Sequence, residues 1–111
     1  MAEFLLSHGA NINEKYKDGE SVLHCVAFRN NKETAEFIIS RGVNIDEKDK
    51  YGRTALHYAA NRNNKEMAEL LLSHGANVNE KDELGRTPLH YAKESYSRET
   101  AELLISHGAK K

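Results

Sequence analysis

A repeat of 33 residues runs through the whole chain and limits its fold more than any other feature. Three similar segments, ESVLHCVA, RTALHYAA and RTPLHYAK, begin at positions 20, 53 and 86. A second, independent set of residues keeps the same interval, namely Gly9, Gly42, Gly75 and Gly108. Residues 17–49 and 50–82 are identical at 18 of 33 positions. Repetition at this period is typical of arrays in which small units stack on one another.

The repeat also sets the boundaries that we expect. Residues 1–15 match residues 67–81 almost letter for letter, so we interpret them as the second half of a unit. We predict a single domain over 1–111 that consists of a half repeat and three units: 1–15, 16–48, 49–81 and 82–111. Phe4 and Leu5 of the half repeat would lack a covering helix, so we expect this end to fray or to associate with another copy.

Each unit has the pattern of two short helices. A hydroxyl residue that can cap a helix precedes the first one in each unit: Ser21, Thr54 and Thr87. In the second helix, apolar residues recur at helical spacing, as at Ala35, Ile38 and Ile39. The pattern predicts helices near 1–7, 22–29, 32–40, 55–62, 65–73, 88–95 and 98–106, with no sheet beyond hairpin-like turns. The predicted core comprises Leu5, Leu23, Ile38, Ile39, Leu56, Leu71, Leu72, Leu89 and Leu104.

These residues resemble the ankyrin repeat over essentially the whole chain. The family pattern G-x-T-P-L-H-x-A-A is met by GRTALHYAA (52–60) and GRTPLHYAK (85–93). The pattern of the second helix and loop, E-x-x-x-L-L-L-x-x-G-A-x-x-N, is met by EMAELLLSHGANVN (66–79). The resemblance implies an all-α solenoid of stacked helix-turn-helix units, with hairpin-like loops at about a right angle to the helices.

The third unit departs from this pattern in two informative places. Tyr96 stands where the family has glycine after the first helix, and tyrosine tolerates the left-handed conformation poorly. Lys93 replaces the second alanine of the motif, which would pack on a following unit. The lysine indicates a solvent-facing end, because terminal repeats need a polar outer surface.

No arrangement of reactive residues favours catalysis or metal binding. The histidines at 24, 57 and 90 occur once per unit, so stacking would place them roughly 10 Å apart, too far to share one ion. The resemblance implies instead that each imidazole bonds the cap hydroxyl and the neighbouring loop. Cys25 has no base aligned with it, since consecutive helical residues point apart. We therefore predict no enzyme, no metal and no cofactor.

The composition narrows the class of partner and the location. With 16 basic and 17 acidic side chains the net charge is -1, which disfavours nucleic-acid binding. No apolar run is long enough to span a membrane, and no signal peptide is recognisable. Cys25 is the one cysteine, so there is no disulfide framework. We expect an intracellular protein, with the cytoplasm as first choice.

Tyrosine and arginine residues beside the first helices vary between units while the framework stays constant. These residue types are enriched in binding hot spots. In the family, loop tips and first helices line one concave surface, and we predict that a protein or peptide binds there. The predicted partner-binding residues are Phe28, Arg29, Tyr51, Arg53, Tyr58, Arg62, Leu84, Arg86 and Tyr91. Arg53, Arg62 and Arg86 near the middle favour a partner with carboxylates. Asp49, Asp82 and Glu83 lie close enough to neutralise part of this basic character. Truncating Tyr58 and Arg62 together should weaken binding and leave the melting temperature nearly unchanged.

Other interpretations stay open at this point. The variable positions are also compatible with ordinary drift on an unselected surface. The chain could be a targeting or regulatory fragment of a larger multidomain protein, or an engineered scaffold without a natural partner. Cys25, Phe28 and Val43 are irregularities that an idealised consensus design would omit, and they favour a natural origin.

Overall fold

Three helix pairs make up the described part of the chain, residues 15–110 of a computed structural model. The six α-helices are α1 (Val22–Arg29), α2 (Lys32–Ser40), α3 (Ala55–Asn61), α4 (Lys65–Ser73), α5 (Pro88–Glu94) and α6 (Arg98–Ser106), and a short 3-10 turn covers Lys17–Gly19. Within residues 15–110 there is no β-strand and no helix long and apolar enough to cross a membrane. The six predicted helices are confirmed to within one residue at each end. The helix predicted over 1–7, Leu5 and the expected fraying lie outside the described residues.

The helix ends follow from local hydrogen bonds. At the start of α1, the Ser21 hydroxyl accepts the His24 N–H at 3.3 Å, while the Ser21 N–H donates to His24 Nδ1 at 3.0 Å. Pro88 occupies the first position of α5, where its missing N–H costs nothing. After each first helix, one residue adopts the left-handed backbone conformation, with φ between 55° and 57°. These residues are Asn30, Asn63 and Tyr96.

The pairs stack in a single direction. Each first helix contacts the next first helix, each second helix contacts the next second helix, and the two helices of a pair contact each other. The five leucines and one isoleucine predicted for the core at positions 23, 38, 56, 71, 89 and 104 are at most 3% exposed. Fully buried alanines, among them Ala27, Ala35, Ala59 and Ala68, allow the helices to approach closely.

Two residues predicted to be in the core are less buried than expected. Ile39 and Leu72 pack against the core but are only partly buried. On α4 the buried residues are Met67, Ala68, Leu70 and Leu71. Leu72 is one further step of about 100° around the helix and lies at the edge of this buried stripe. Ile39 occupies the equivalent position of α2.

Histidines link neighbouring units, as the resemblance implied. His24 Nε2 lies 2.6 Å from the carbonyl oxygen of Arg53, and His57 Nε2 lies 2.9 Å from that of Arg86. Because a backbone N–H donates to Nδ1 of each ring, Nε2 carries the proton and donates it to that carbonyl. The structural role predicted for these two histidines is therefore confirmed.

The turns before the first helices also bond to one another. The Lys50 N–H donates to the Asp18 carbonyl at 2.7 Å, and the Glu83 N–H donates to the Tyr51 carbonyl at 2.9 Å. A Cβ atom at Gly52 would lie 2.8 Å from the backbone nitrogen of Glu83, so this approach requires glycine. The bonded turns hold the adjacent side chains at fixed positions from unit to unit.

Candidate functional site

The first-helix face consists of the exposed side of α1, α3 and α5 together with the tips of the preceding turns. It carries two depressions that share Arg53. The groove has a volume of about 380 Å³ and is lined by residues of all three units. The turn depression has a volume of about 290 Å³ and lies among the turn tips.

Eight of the nine predicted site residues line these depressions. Five of them line the groove, namely Phe28, Arg29, Arg53, Tyr58 and Tyr91. The turn depression is lined by Arg53 and by the other three, which are Tyr51, Leu84 and Arg86. The ninth residue, Arg62, places its guanidinium carbon 4.4 Å from the centre of the Phe28 ring, next to the groove.

The predicted site omitted four lining residues. Glu20, Cys25 and Asn61 complete the groove, and Glu83 completes the turn depression. Cys25 was considered as a possible nucleophile and was not included in the predicted site. The signal for its inclusion was available, because Cys25 occupies the same repeat position as Tyr58 and Tyr91, both of which were included.

Two buried carboxylates organise this face. Asp49 Oδ1 accepts the backbone N–H groups of Tyr51 and Arg53 at 2.9 and 2.8 Å. Asp49 Oδ2 accepts Arg53 Nε at 2.8 Å and the Tyr58 hydroxyl at 2.6 Å. The Arg53 guanidinium also lies over the Tyr58 ring, 5.1 Å from its centre. We call this arrangement an Asp–Arg–Tyr cluster.

The third unit repeats the cluster. Asp82 Oδ2 accepts Arg86 Nε at 3.0 Å and the Tyr91 hydroxyl at 2.5 Å. Burial alone would raise the pKa of Asp82, but the donors from Tyr91 and Arg86 lower this pKa to about 2. Burial and the bond to Asp82 raise the pKa of Tyr91 to about 12. At neutral pH the aspartate is therefore ionised and the phenol is protonated, so the cluster keeps one arrangement.

These clusters neutralise two of the three arginines that favoured an acidic partner. Arg53 and Arg86 each form an ion pair with an aspartate of their own unit. Of the three, Arg62 alone forms no ion pair with another residue of the range 15–110. The main support for a partner rich in carboxylates is thereby removed.

Tyr58 is more deeply placed than the sequence indicated. It is 8% exposed, and its hydroxyl bonds a buried carboxylate. Truncation to alanine would remove a packed ring and leave Asp49 short of a donor. Burial of Tyr58 argues against an unchanged melting temperature for the Tyr58/Arg62 double variant, so Tyr58 is unsuitable as a probe of binding alone.

The reactive side chains near the face are held in inert forms. Burial lowers the pKa of His24 and His57, and both nitrogens of each ring already bond protein atoms. Burial and the charge of Glu20 raise the pKa of the Cys25 thiol, which disfavours the nucleophilic thiolate. Within the described range, no three histidine, cysteine, aspartate or glutamate residues are grouped so that they could hold a metal ion.

Comparison with protein-family models identifies the fold. The family described as "Ankyrin repeats (3 copies)" matches residues 1–82 and 30–111, which together span the whole chain. The chain belongs to the ankyrin-repeat family. The predicted family and fold are confirmed. A search of curated proteins found no match. Ankyrin repeats are generally protein–protein interaction modules, and the family is generally non-catalytic.

Proposed function

We propose that this ankyrin-repeat chain is a non-enzymatic module that binds a protein or peptide partner on a concave surface formed by the first-helix face. The observation that carries the proposal is the convergence of eight predicted residues from three units in two adjoining depressions. Their tyrosine and arginine content is typical of binding hot spots. The groove volume of about 380 Å³ also falls within the range of sites that enclose ligand groups.

The rigidity of the face supports binding without rearrangement. The Asp–Arg–Tyr clusters and the bonded turns fix the aromatic rings before any partner arrives. A surface that is already ordered loses little conformational entropy on association, which favours affinity. The second helices differ in character, since they expose the carboxylates of Glu36, Glu69 and Glu102 and, on α2, the ring of Phe37.

A peptide selection tests the proposal. Random dodecapeptides displayed on phage would be selected on the folded chain, and the affinity of synthetic copies would be measured by calorimetry. The diagnostic variant is Phe28→Ala with Arg62→Ala, because both side chains are exposed and lie outside the buried clusters. We expect this double variant to bind at least about tenfold more weakly with an unchanged melting temperature.

The matched control changes the opposite side of the molecule. Glu36→Ala with Glu69→Ala removes two exposed side chains of α2 and α4 and should leave affinity unchanged. Full binding by the Phe28/Arg62 variant, together with lost binding by the Glu36/Glu69 variant, would place the site on the second helices and refute the proposal.

A further inference from the structure

The groove lies where the first unit departs from the other two. Units two and three each contain an Asp–Arg–Tyr cluster, but the three equivalent positions of the first unit hold Tyr16, Glu20 and Cys25. A carboxylate therefore stands where its neighbours have a guanidinium, and a small thiol stands where they have a phenol ring. Both Glu20 and Cys25 line the groove. The first unit thus leaves open a space that the side chains of the other units fill.

The carboxylate of Glu20 is incompletely satisfied. Its Oε2 lies 2.9 Å from the Tyr58 hydroxyl, which is also 2.6 Å from Asp49 Oδ2. A phenol has one proton and donates it to one acceptor at a time, and the shorter contact favours Asp49. Among residues 15–110 no basic nitrogen lies within 4.0 Å of Glu20. Glu20 therefore presents an acceptor without a cation at the wall of an open groove.

The positive charges of the groove do not cancel this carboxylate. Arg53 is committed to Asp49, to which its Nε donates at 2.8 Å. Arg29 is exposed at the end of α1 and forms no ion pair with Glu20. At the Cys25 thiol, Glu20 raises the pKa more than Arg29 lowers it, which agrees with a negative local field.

The chain itself contains two examples of how such a site holds a cation. Arg53 is bound by a carboxylate at 2.8 Å and lies over a tyrosine ring at 5.1 Å, and Arg86 repeats this with 3.0 and 5.1 Å. The groove brings together a carboxylate, Glu20, and an aromatic ring, Phe28, and within residues 15–110 no guanidinium forms an ion pair with that carboxylate. Phe28 supplies the aromatic surface, since it is 45% exposed and the Arg62 guanidinium lies over its ring at 4.4 Å. Tyr58 is only 8% exposed, and Arg53 already lies over its ring.

We propose that the groove binds an arginine side chain of the partner, which pairs with Glu20 and lies against the exposed ring of Phe28. The inference rests on the proposed function and specifies the partner's chemistry. A guanidinium suits this site better than an ammonium, because it is planar, can donate two parallel hydrogen bonds to a carboxylate and stacks on aromatic faces.

A small-molecule probe tests the groove without a partner protein. N-acetyl-arginine methylamide would be titrated to millimolar concentration, and binding read from the amide NMR shifts of Cys25 and Tyr58. The citrulline analogue is the control compound, since it has the same shape without the charge. We expect saturable shifts with the arginine compound and binding at least about tenfold weaker with the citrulline compound.

Two variants complete the test. Glu20→Gln should abolish the discrimination between the two compounds, whereas Glu83→Gln, in the turn depression, should preserve it. Thermal melts would establish that both variants are folded. Equal binding of the two compounds by the wild-type chain, no shift at Cys25 or Tyr58, or unchanged discrimination in Glu20→Gln would each overturn the proposal.

The peptide selection separates this inference from the proposed function. Dodecapeptides selected on the wild-type chain should be enriched in arginine, and the enrichment should be lost on Glu20→Gln. Peptides that bind the first-helix face without arginine enrichment would refute the arginine site alone. Peptides that bind the second helices would refute the proposed function, and the titration with the arginine compound would still report on the groove.

Discussion

At the scale of single residues, position 96 is the clearest conflict between side chain and backbone. Tyr96 adopts φ of 57° and is 91% exposed, whereas the equivalent Asn30 and Asn63 suit this left-handed conformation. Tyr96→Asn should therefore raise the free energy of unfolding by about 0.5–1 kcal/mol, measured by urea denaturation.

The control for this substitution is Tyr96→Ala, which also removes the exposed ring but gains no tolerance of a positive φ. We expect Tyr96→Ala to change stability little. If asparagine gave no more stability than alanine at this position, the strain attributed to the tyrosine would be absent.

The buried aspartates show what sequence reasoning missed at this scale. The sequence places Asp49 and Asp82 near the arginines but does not predict their burial, and each is 7% exposed and accepts four hydrogen bonds. Their partners stand at the same offsets, four and nine residues later, in both units. The repeated offsets are visible in the sequence. Only the folded turn shows that the arginine and the tyrosine bond the same carboxylate.

At the scale of elements, the contact between turns explains a glycine. Gly52 and Gly85 have the same φ of 78°, but a Cβ at Gly52 would lie 2.8 Å from a backbone nitrogen, while one at Gly85 would meet nothing within 4 Å. Both Gly→Ala substitutions place an alanine at a positive φ, which destabilises the folded state. We expect Gly52→Ala to cost at least about 1 kcal/mol more than Gly85→Ala, because it also disrupts packing between the turns.

Chemical denaturation of the two variants measures this difference directly. Equal losses of stability would mean that the backbone contact between the turns at Gly52 and Glu83 contributes nothing.

Helices were the most predictable elements, because their determinants are local. Cap hydroxyls, a proline at the first helical position and left-handed residues define the ends, and each can be read within a few positions. Burial at the edge of a helix was less predictable. Ile39 and Leu72 continue the apolar spacing, but their exposure depends on how the neighbouring pair docks, which spacing does not specify.

At the scale of the whole molecule, the histidines make the stack sensitive to pH. Burial lowers the pKa of His24 and His57 below 6.5, and the neutral rings bond across the unit boundaries. Below pH 6.5 the unfolded chain binds protons that these folded rings resist. The free energy of unfolding should therefore be fully retained above about pH 6.5 and fall as pH decreases toward the folded pKa values.

Urea denaturation between neutral pH and pH 5 measures this dependence. His57→Gln should reduce the slope, because it removes one of the two buried rings whose pKa is lowered. An NMR titration of the His57 ring would provide a second readout. The same slope in His57→Gln as in the wild-type chain would contradict this account.

The first-helix face is a property of the whole stack, since no single unit contains it. The groove is lined by residues of three units, so it forms only when they stack. Most of these residues were predictable from the sequence, because the family arrangement brings first helices and turns together. Asp49 and Asp82 were expected to neutralise part of the basic charge, but the pairing of each with one arginine follows from the turn conformation, which the sequence does not specify.

The central claim is that partners bind the first-helix face, and chemical-shift mapping tests it most directly. A selected dodecapeptide would be titrated into the isotope-labelled chain and its effect read at every assigned backbone amide. We expect the largest shifts around Phe28, Tyr51, Arg62 and Leu84 on the first helices and turn tips. Shifts confined to the second helices, around Glu36, Glu69 and Glu102, would contradict the claim.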